Sequence, residues 1–332
     1  MIRFALGIAM ALGIVGGAEA ASKDAKAPVE KGAASPLAPV KLALNWKPEA
    51  EFGGFYEAER AGHYAKAGFK VEILPGGVGT PVVQMIAAGQ TDFGIVSASE
   101  IVLARSRGAD VVGVFSVYQD SPHAILVHES RGFKSLADVF RSEGTLAIEM
   151  GSPMALHMEK KYAPVKVKRV PYAGGISHFL RDATHSQQGF VTSESLLAAQ
   201  QGAKVKSFLV KDSGYNPYLV LVAVKGELWR KEPEKVKAFL RATREGWKAF
   251  NAAPAPANAI MRKLNPTIDE KTFAESAVVQ RPFVENEFTK AKGLGAMTRE
   301  RWAELIAQLK DLGSLKVSDQ VKPEECFTNE AL

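Results

Sequence analysis

From residue 40 onward the chain alternates short apolar runs with helical stretches, and that rhythm leaves few folds open. Residues 40–44 read as a strand and 55–61 as a helix. Residues 70–74 alternate as a strand, and 81–88 are helical with a proline in the first turn. Strand 93–96, helix 99–107 and strand 111–118 complete a βαβαβ unit. A second unit has strands at 124–128, 146–149, 167–170, 189–192, 205–210 and 219–224, with helices at 135–140, 153–162, 176–182 and 194–201 between them. Beyond Lys225 the pattern is purely helical, at 234–252, 258–264, 270–277 and 299–312. Strands alternating with helices predict an α/β fold with two mainly parallel sheets. The expected first lobe is 38–128 completed by 219–332, and the second lobe is 129–218. Ligands bind beyond the carboxyl ends of such strands, so two facing lobes place the site in a cleft that closes about a hinge.

The first residues read as an export signal. Arg3 is followed by an apolar run over 4–15 and by Ala18-Glu19-Ala20, a small-x-small cleavage site. The run is too short to span a bilayer. Cleavage after Ala20 leaves 21–37 (ASKDAKAPVEKGAASPL) as a flexible linker. No cysteine follows that site, so a lipid anchor is not indicated. Cys326 is the single cysteine, which excludes an internal disulfide and a thiolate metal site. The net charge of +6 survives removal of 1–20, because Arg3 and Glu19 cancel. It reads either as a solvated basic surface or as a preference for anionic partners. Nucleic acid has no basic-aromatic motif to bind. Neither G-x-S-x-G nor H-E-x-x-H occurs, and the histidines show no ligand spacing. No metal and no cofactor are expected.

Several polar and aromatic residues stand where such a fold puts its ligand. Asn45 and Trp46 follow the first strand, where a Trp can stack on a flat ring and an Asn can bond to its edge. Trp46 is otherwise a core residue. Among Phe52, Phe55 and Tyr56, one is expected as a site wall and the others as core. Gly76, Gly77 and Gly79 either cradle an anion or make a tight βα turn. Ser97, Ser99 and Glu100 follow the strand at 93–96; helix capping explains one serine but not all three polar groups. Tyr118 and Gln119 fall near the expected hinge. In the second lobe, Ser152 is either a helix cap or a polar contact, and Tyr172 precedes Gly174-Gly175. Glu194 either accepts from a ligand amine or stabilises a helix first turn. Tyr215, Asn216 and Tyr218 lie beside the second hinge crossing.

The order of local motifs adds a resemblance. Lys41-Leu-Ala-Leu-Asn-Trp-Lys-Pro48, Gly53-Gly-Phe-Tyr-Glu-Ala58, Ala61-Gly-His-Tyr-Ala-Lys-Ala-Gly68 and Val71-Glu-Ile-Leu-Pro-Gly-Gly77 come in succession. Gly89-Gln-Thr-Asp-Phe-Gly94, the run Val127 to Asp138, Gln188-Gly-Phe-Val-Thr-Ser-Glu194 and Gly214-Tyr-Asn-Pro-Tyr218 follow. This succession, over about 40–249, resembles the NMT1/THI5-like family of solute-binding proteins. The resemblance implies a two-lobed periplasmic-binding-protein fold of type II. It implies a periplasmic monomer that closes on a flat heterocycle, such as a thiamine-pyrimidine precursor or riboflavin, and delivers it to an ABC permease. Other members bind sulfonates, and a sulfonate or nitrate site would need arginine or several N–H donors. A sensor that docks on a receptor is a further reading.

The family also holds a pyrimidine synthase that uses pyridoxal phosphate. A Schiff-base enzyme needs a lysine. Where the synthase has that lysine this chain has Val96, and where it has a histidine this chain has Glu100. The synthase's cysteine-rich run falls near Ser213 to Pro217, which has no cysteine. One departure from the family pattern is Ser195, where proline often follows the glutamate.

Overall fold

The computed structural model describes residues 36–332. The expected signal peptide (1–20) and most of the expected linker (21–37) lie outside the described residues. Ten strands are present there. The first four are β1 (Ala38–Ala43), β2 (Phe69–Leu74), β3 (Phe93–Val96) and β4 (Val111–Tyr118). The next three are β5 (His123–His128), β6 (Thr145–Ile148) and β7 (Lys168–Pro171). The last are β8 (His185–Phe190), β9 (Val205–Leu209) and β10 (Leu219–Lys225). They form two five-stranded sheets, ordered β2-β1-β3-β10-β4 and β7-β6-β8-β5-β9.

Each sheet is mixed rather than simply parallel. β1 runs parallel to β2 and β3, and β6 parallel to β7 and β8. β10 is antiparallel to β3 and β4, and β5 is antiparallel to β8 and β9. The reason is the hinge. Strands followed by helices run toward the cleft, whereas a strand arriving from the other lobe starts at the cleft and must run away from it. β5 therefore belongs to the second sheet, and the expected lobe boundary at residue 128 moves back to the crossing at 119–122. The return crossing is 210–218.

Side-chain alternation along the strands sets the two faces of each sheet. In β10, Val220, Val222 and Val224 join one apolar cluster while Leu221 and Ala223 join another. In β5, Ile125 and Val127 face one side, and Ala124 and Leu126 pack with Phe179 and Ala198 on the other. The 20-residue helix Pro233–Ala252 carries Phe239, which stacks on Phe93 at 3.7 Å and on Tyr64 at 4.8 Å between ring centroids. Burying each such ring contributes about 1.5–3 kcal/mol.

β8 lies four residues earlier than the expected strand at 189–192. Its His-Ser-Gln-Gln start is polar yet buried. The glutamines are satisfied inside: Gln188 Oε1 accepts from Glu149 N–H at 2.7 Å, and Gln187 Nε2 donates to Gly175 O at 3.0 Å.

Candidate functional site

A cavity of about 440 Å³ lies between the two sheets. Its walls are the segments that follow β1, β2 and β3 in the first lobe and β6, β7 and β8 in the second, joined by the starts of β5 and β10. Parallel strands feeding helices leave their carboxyl-end loops free, and here two sets of such loops face each other.

The β1 segment supplies Asn45, Trp46, Glu49 and Glu51. Gly76 lets the β2 turn close over this segment, because a Cβ there would meet Leu44 O at 2.2 Å. Its N–H donates to Trp46 O at 3.0 Å, and Gly77 N–H donates to Thr80 Oγ1 at 2.8 Å. The glycines thus form the tight-turn alternative, with those donors used inside the protein. Trp46 Nε1–H donates to Glu49 Oε1 at 3.1 Å. The hydroxyl of Ser193, in the other lobe, donates to Glu49 Oε2. That bond ties the lobes together across the cleft.

After β3, Ser97 and Glu100 form a reciprocal capping box on helix Ala98–Ser106. Ser99 makes a 2.7 Å hydrogen bond with the Tyr215 hydroxyl. In the second lobe Ser152 caps helix Pro153–Lys161 by accepting from Ala155 N–H at 3.2 Å, and it also lines the cavity. Glu194 accepts from Tyr172 OH at 2.7 Å and from Phe190 N–H at 2.8 Å. Gly189 leaves the space this needs, since a Cβ there would lie 3.0 Å from Glu194 Oε2.

The cavity is acidic. Glu49, Glu51, Glu100, Glu149 and Glu194 line it, and among the described residues no lysine or arginine does. Burial, and then the nearby Glu194 charge, push the Glu49 carboxyl up to about 8. Burial together with Glu49 and Glu194 holds Glu51 well above the usual carboxylate range. Glu149 is raised by burial and by Glu100. Burial lowers His123 to about 4, and its ring meets Phe190 edge-on at 4.5 Å.

The structure therefore brings nine expected residues to one cavity: Asn45, Trp46, Ser97, Ser99, Glu100, Ser152, Tyr172, Glu194 and Tyr215. Five others lie elsewhere. Phe55 is fully buried, edge-on to Trp247 at 5.8 Å, and Tyr56 is in the same core. Tyr118 donates to Gln280 Oε1 at 2.9 Å inside the first lobe. Tyr218 lies beneath the Arg301 guanidinium at 3.8 Å, and its oxygen accepts from Thr298 N–H at 2.9 Å. Asn216 is a hinge clasp, accepting from Ser121 N–H and donating to Asp120 Oδ1, both at 2.8 Å. Large aromatic rings bury the most apolar area, so proximity to a strand end did not keep these out of the core. Sequence reasoning missed Glu49, Glu51, His123 and Glu149. The available signal was the Glu-x-Glu directly after Trp46-Lys-Pro, at the same strand end as Asn45.

Among the described residues, no cluster of His, Cys, Asp and Glu has a metal-site arrangement, and no helix is long and apolar enough to cross a membrane.

Known proteins share this organisation. The riboflavin-binding protein RibY of Chloroflexus aurantiacus is 26% identical over 310 residues, 89% of this chain and 86% of that protein. A formylaminopyrimidine-binding protein of Halalkalibacterium halodurans is 25% identical, over 82% of this chain and 85% of its own. A 4-amino-5-hydroxymethyl-2-methylpyrimidine phosphate synthase of Legionella pneumophila is 23% identical, over 74% and 79%. The periplasmic aliphatic sulphonate binding protein SsuA of Escherichia coli superposes with a TM-score of 0.66 at 15% identity, over 86% of this chain and 91% of that one. The shared fold is the two-lobed α/β fold of periplasmic binding proteins. The NMT1/THI5 like model matches residues 49–257, which is most of both lobes, and the chain belongs to that family.

Proposed function

We propose that this protein is the solute-binding component of an ABC importer, exported from the cytoplasm, and that it closes its two lobes on a small flat heterocycle bearing N–H donors. One observation carries this reading: a cavity of about 440 Å³ sits between the lobes, walled by Trp46 and Tyr172 and lined, among the described residues, by five carboxylates and no lysine or arginine. That volume lies in the range of small-molecule sites. Carboxylates accept from amines and ring N–H groups, and the indole offers a surface for stacking. Two relatives are named for binding riboflavin and formylaminopyrimidine, both flat nitrogen heterocycles.

The acidic lining argues against a sulfonate or nitrate ligand, which needs arginine or several free N–H donors. It also argues against the synthase reading. Among the described residues no lysine lines the cavity to form a Schiff base, and Val96 and Glu100 stand there instead. The partner for delivery is an inner-membrane permease that reads the closed form, and the protein acts as a monomer.

A thermal-shift screen of the chain lacking residues 1–20 tests this, with aminopyrimidines, thiamin, riboflavin, taurine, nitrate and pyridoxal phosphate. Ligand at about 100 times its Kd stabilises by about 2.7 kcal/mol, which a melting scan resolves. A pyrimidine or flavin shift is the expected result. A shift with taurine or nitrate alone overturns the ligand class. A shift with pyridoxal phosphate restores the enzyme.

A further inference from the structure

The five carboxylates of the cavity are not held alike. Glu100 closes its capping box, Glu194 takes two donors and Glu49 takes Trp46 and Ser193. Glu51 is only 7% exposed and lines the cavity, yet its carboxylate accepts no hydrogen bond from any described residue. It sits two residues from Glu49, on the short helical turn Ala50–Phe52 that follows the Trp46 loop. Its oxygens face the cavity and are not sealed inside the protein, and a carboxylate held there without donors takes a proton or a cation. The groups that act on it are acidic too: Glu49 and Glu194 both push Glu51 toward its protonated form. Lys47 acts on Glu49 without lining the cavity.

A neutral heterocycle would satisfy hydrogen bonds here but leave the charge to be cancelled by protons. An anion would add like charge. A planar cation removes both costs. Its spread charge is weakly hydrated and easily stripped of water, its N–H groups supply the missing donors, and its face suits an indole. We propose that the natural ligand is a cation, an amidinium- or aminopyridinium-type ring with N–H donors beside its charge, and that Glu51 with Glu49 forms its counter-charge against Trp46. This rests on the solute-binding reading and narrows it to one charge class.

The test is calorimetric titration of the chain lacking residues 1–20, at neutral pH, with benzamidinium, its neutral isostere benzamide, riboflavin and taurine. The same titrations are run on Glu51→Gln. Wild type is expected to bind benzamidinium at least about tenfold more tightly than benzamide, and Glu51→Gln to erase that gap. The variant should melt no lower than wild type at neutral pH, because the amide removes the cost of keeping that carboxyl protonated in the fold. The wild-type pair is decisive on its own if the variant does not fold. Benzamide or riboflavin binding as tightly as benzamidinium overturns the cation proposal and leaves the solute-binding reading standing. So does a gap that persists in a folded Glu51→Gln. Taurine binding more tightly than the others overturns the heterocycle class as well. No binding by any of the four overturns the cation proposal, and the aminopyrimidines of the thermal-shift screen then decide the solute-binding reading.

Discussion

Replacing Glu49 by glutamine should flatten part of the protein's pH dependence, and the effect can be sized. Glu49 moves from 4.5 when exposed to about 8 in the fold. Its carboxyl therefore holds a proton in the folded state that the unfolded state has released. A group raised in this way contributes stability that is lost as pH climbs toward the folded value. The loss is about 1.4 kcal/mol per pH unit for one proton. His123, His157 and His185 act in the opposite sense, because burial lowers all three from 6.5. They are common to wild type and variant, so over the window from pH 6.5 to 8 the difference between the two proteins isolates Glu49. Across it Glu49 accounts for roughly 2 kcal/mol, or about 4 °C of melting temperature in a chain this size. Glutamine carries no titratable proton but keeps an oxygen for Trp46. Differential scanning fluorimetry of both proteins through that window should show wild type falling more steeply, by one proton's share. The residual slope in the variant is set by Glu51, held well above the usual carboxylate range, against the histidines, which act in the opposite sense. A variant with the wild-type slope refutes the argument.

Three further outcomes follow from the geometry. Trp46→Ala should weaken binding of the heterocycle found in the screen by roughly tenfold, the worth of one aromatic contact, with the unfolding midpoint little changed; unchanged affinity would remove Trp46 from the site. Gly76→Ala should cost roughly 1–3 kcal/mol in urea unfolding, because its methyl would meet Leu44 O at 2.2 Å; a wild-type midpoint would contradict that close approach. Arg301→Ala should cost about 2–3 kcal/mol, because the guanidinium donates to Gln119 O and Asn216 O, one carbonyl from each hinge crossing. Small-angle scattering should also show the variant's unliganded form more open than wild type.

The strands with apolar faces were legible in the sequence to within a residue or two, since burial on a pleated sheet demands that pattern. β8 was not, because its buried glutamines and histidine look like a loop until the glutamines' partners, Glu149 and Gly175, are known. The site was legible where backbone position alone decided it: Asn45, Trp46, Ser97 and Ser152 follow strand ends, and all line the cavity. It was not legible where side-chain chemistry suggested two homes. Phe55, Tyr56, Tyr118 and Tyr218 are as suited to a core as to a ligand wall, and the core took them. Glu49 and Glu51 carried the converse difficulty. A carboxylate in a loop reads as solvated, and only the closure of the second lobe over the Trp46 segment buries it.

The order of strands has a chronological consequence. The second sheet is built from residues 123–209 without interruption, whereas the first cannot join β3 to β4 until β10, beginning at Leu219, arrives between them. Gly295 and Phe327 then bridge to β4, so its outer edge is covered only by the last stretch of chain. A chain emerging from its amino end therefore completes the second lobe first. The lobe that begins earlier in sequence finishes later, with the edges of β3 and β4 open in the interval.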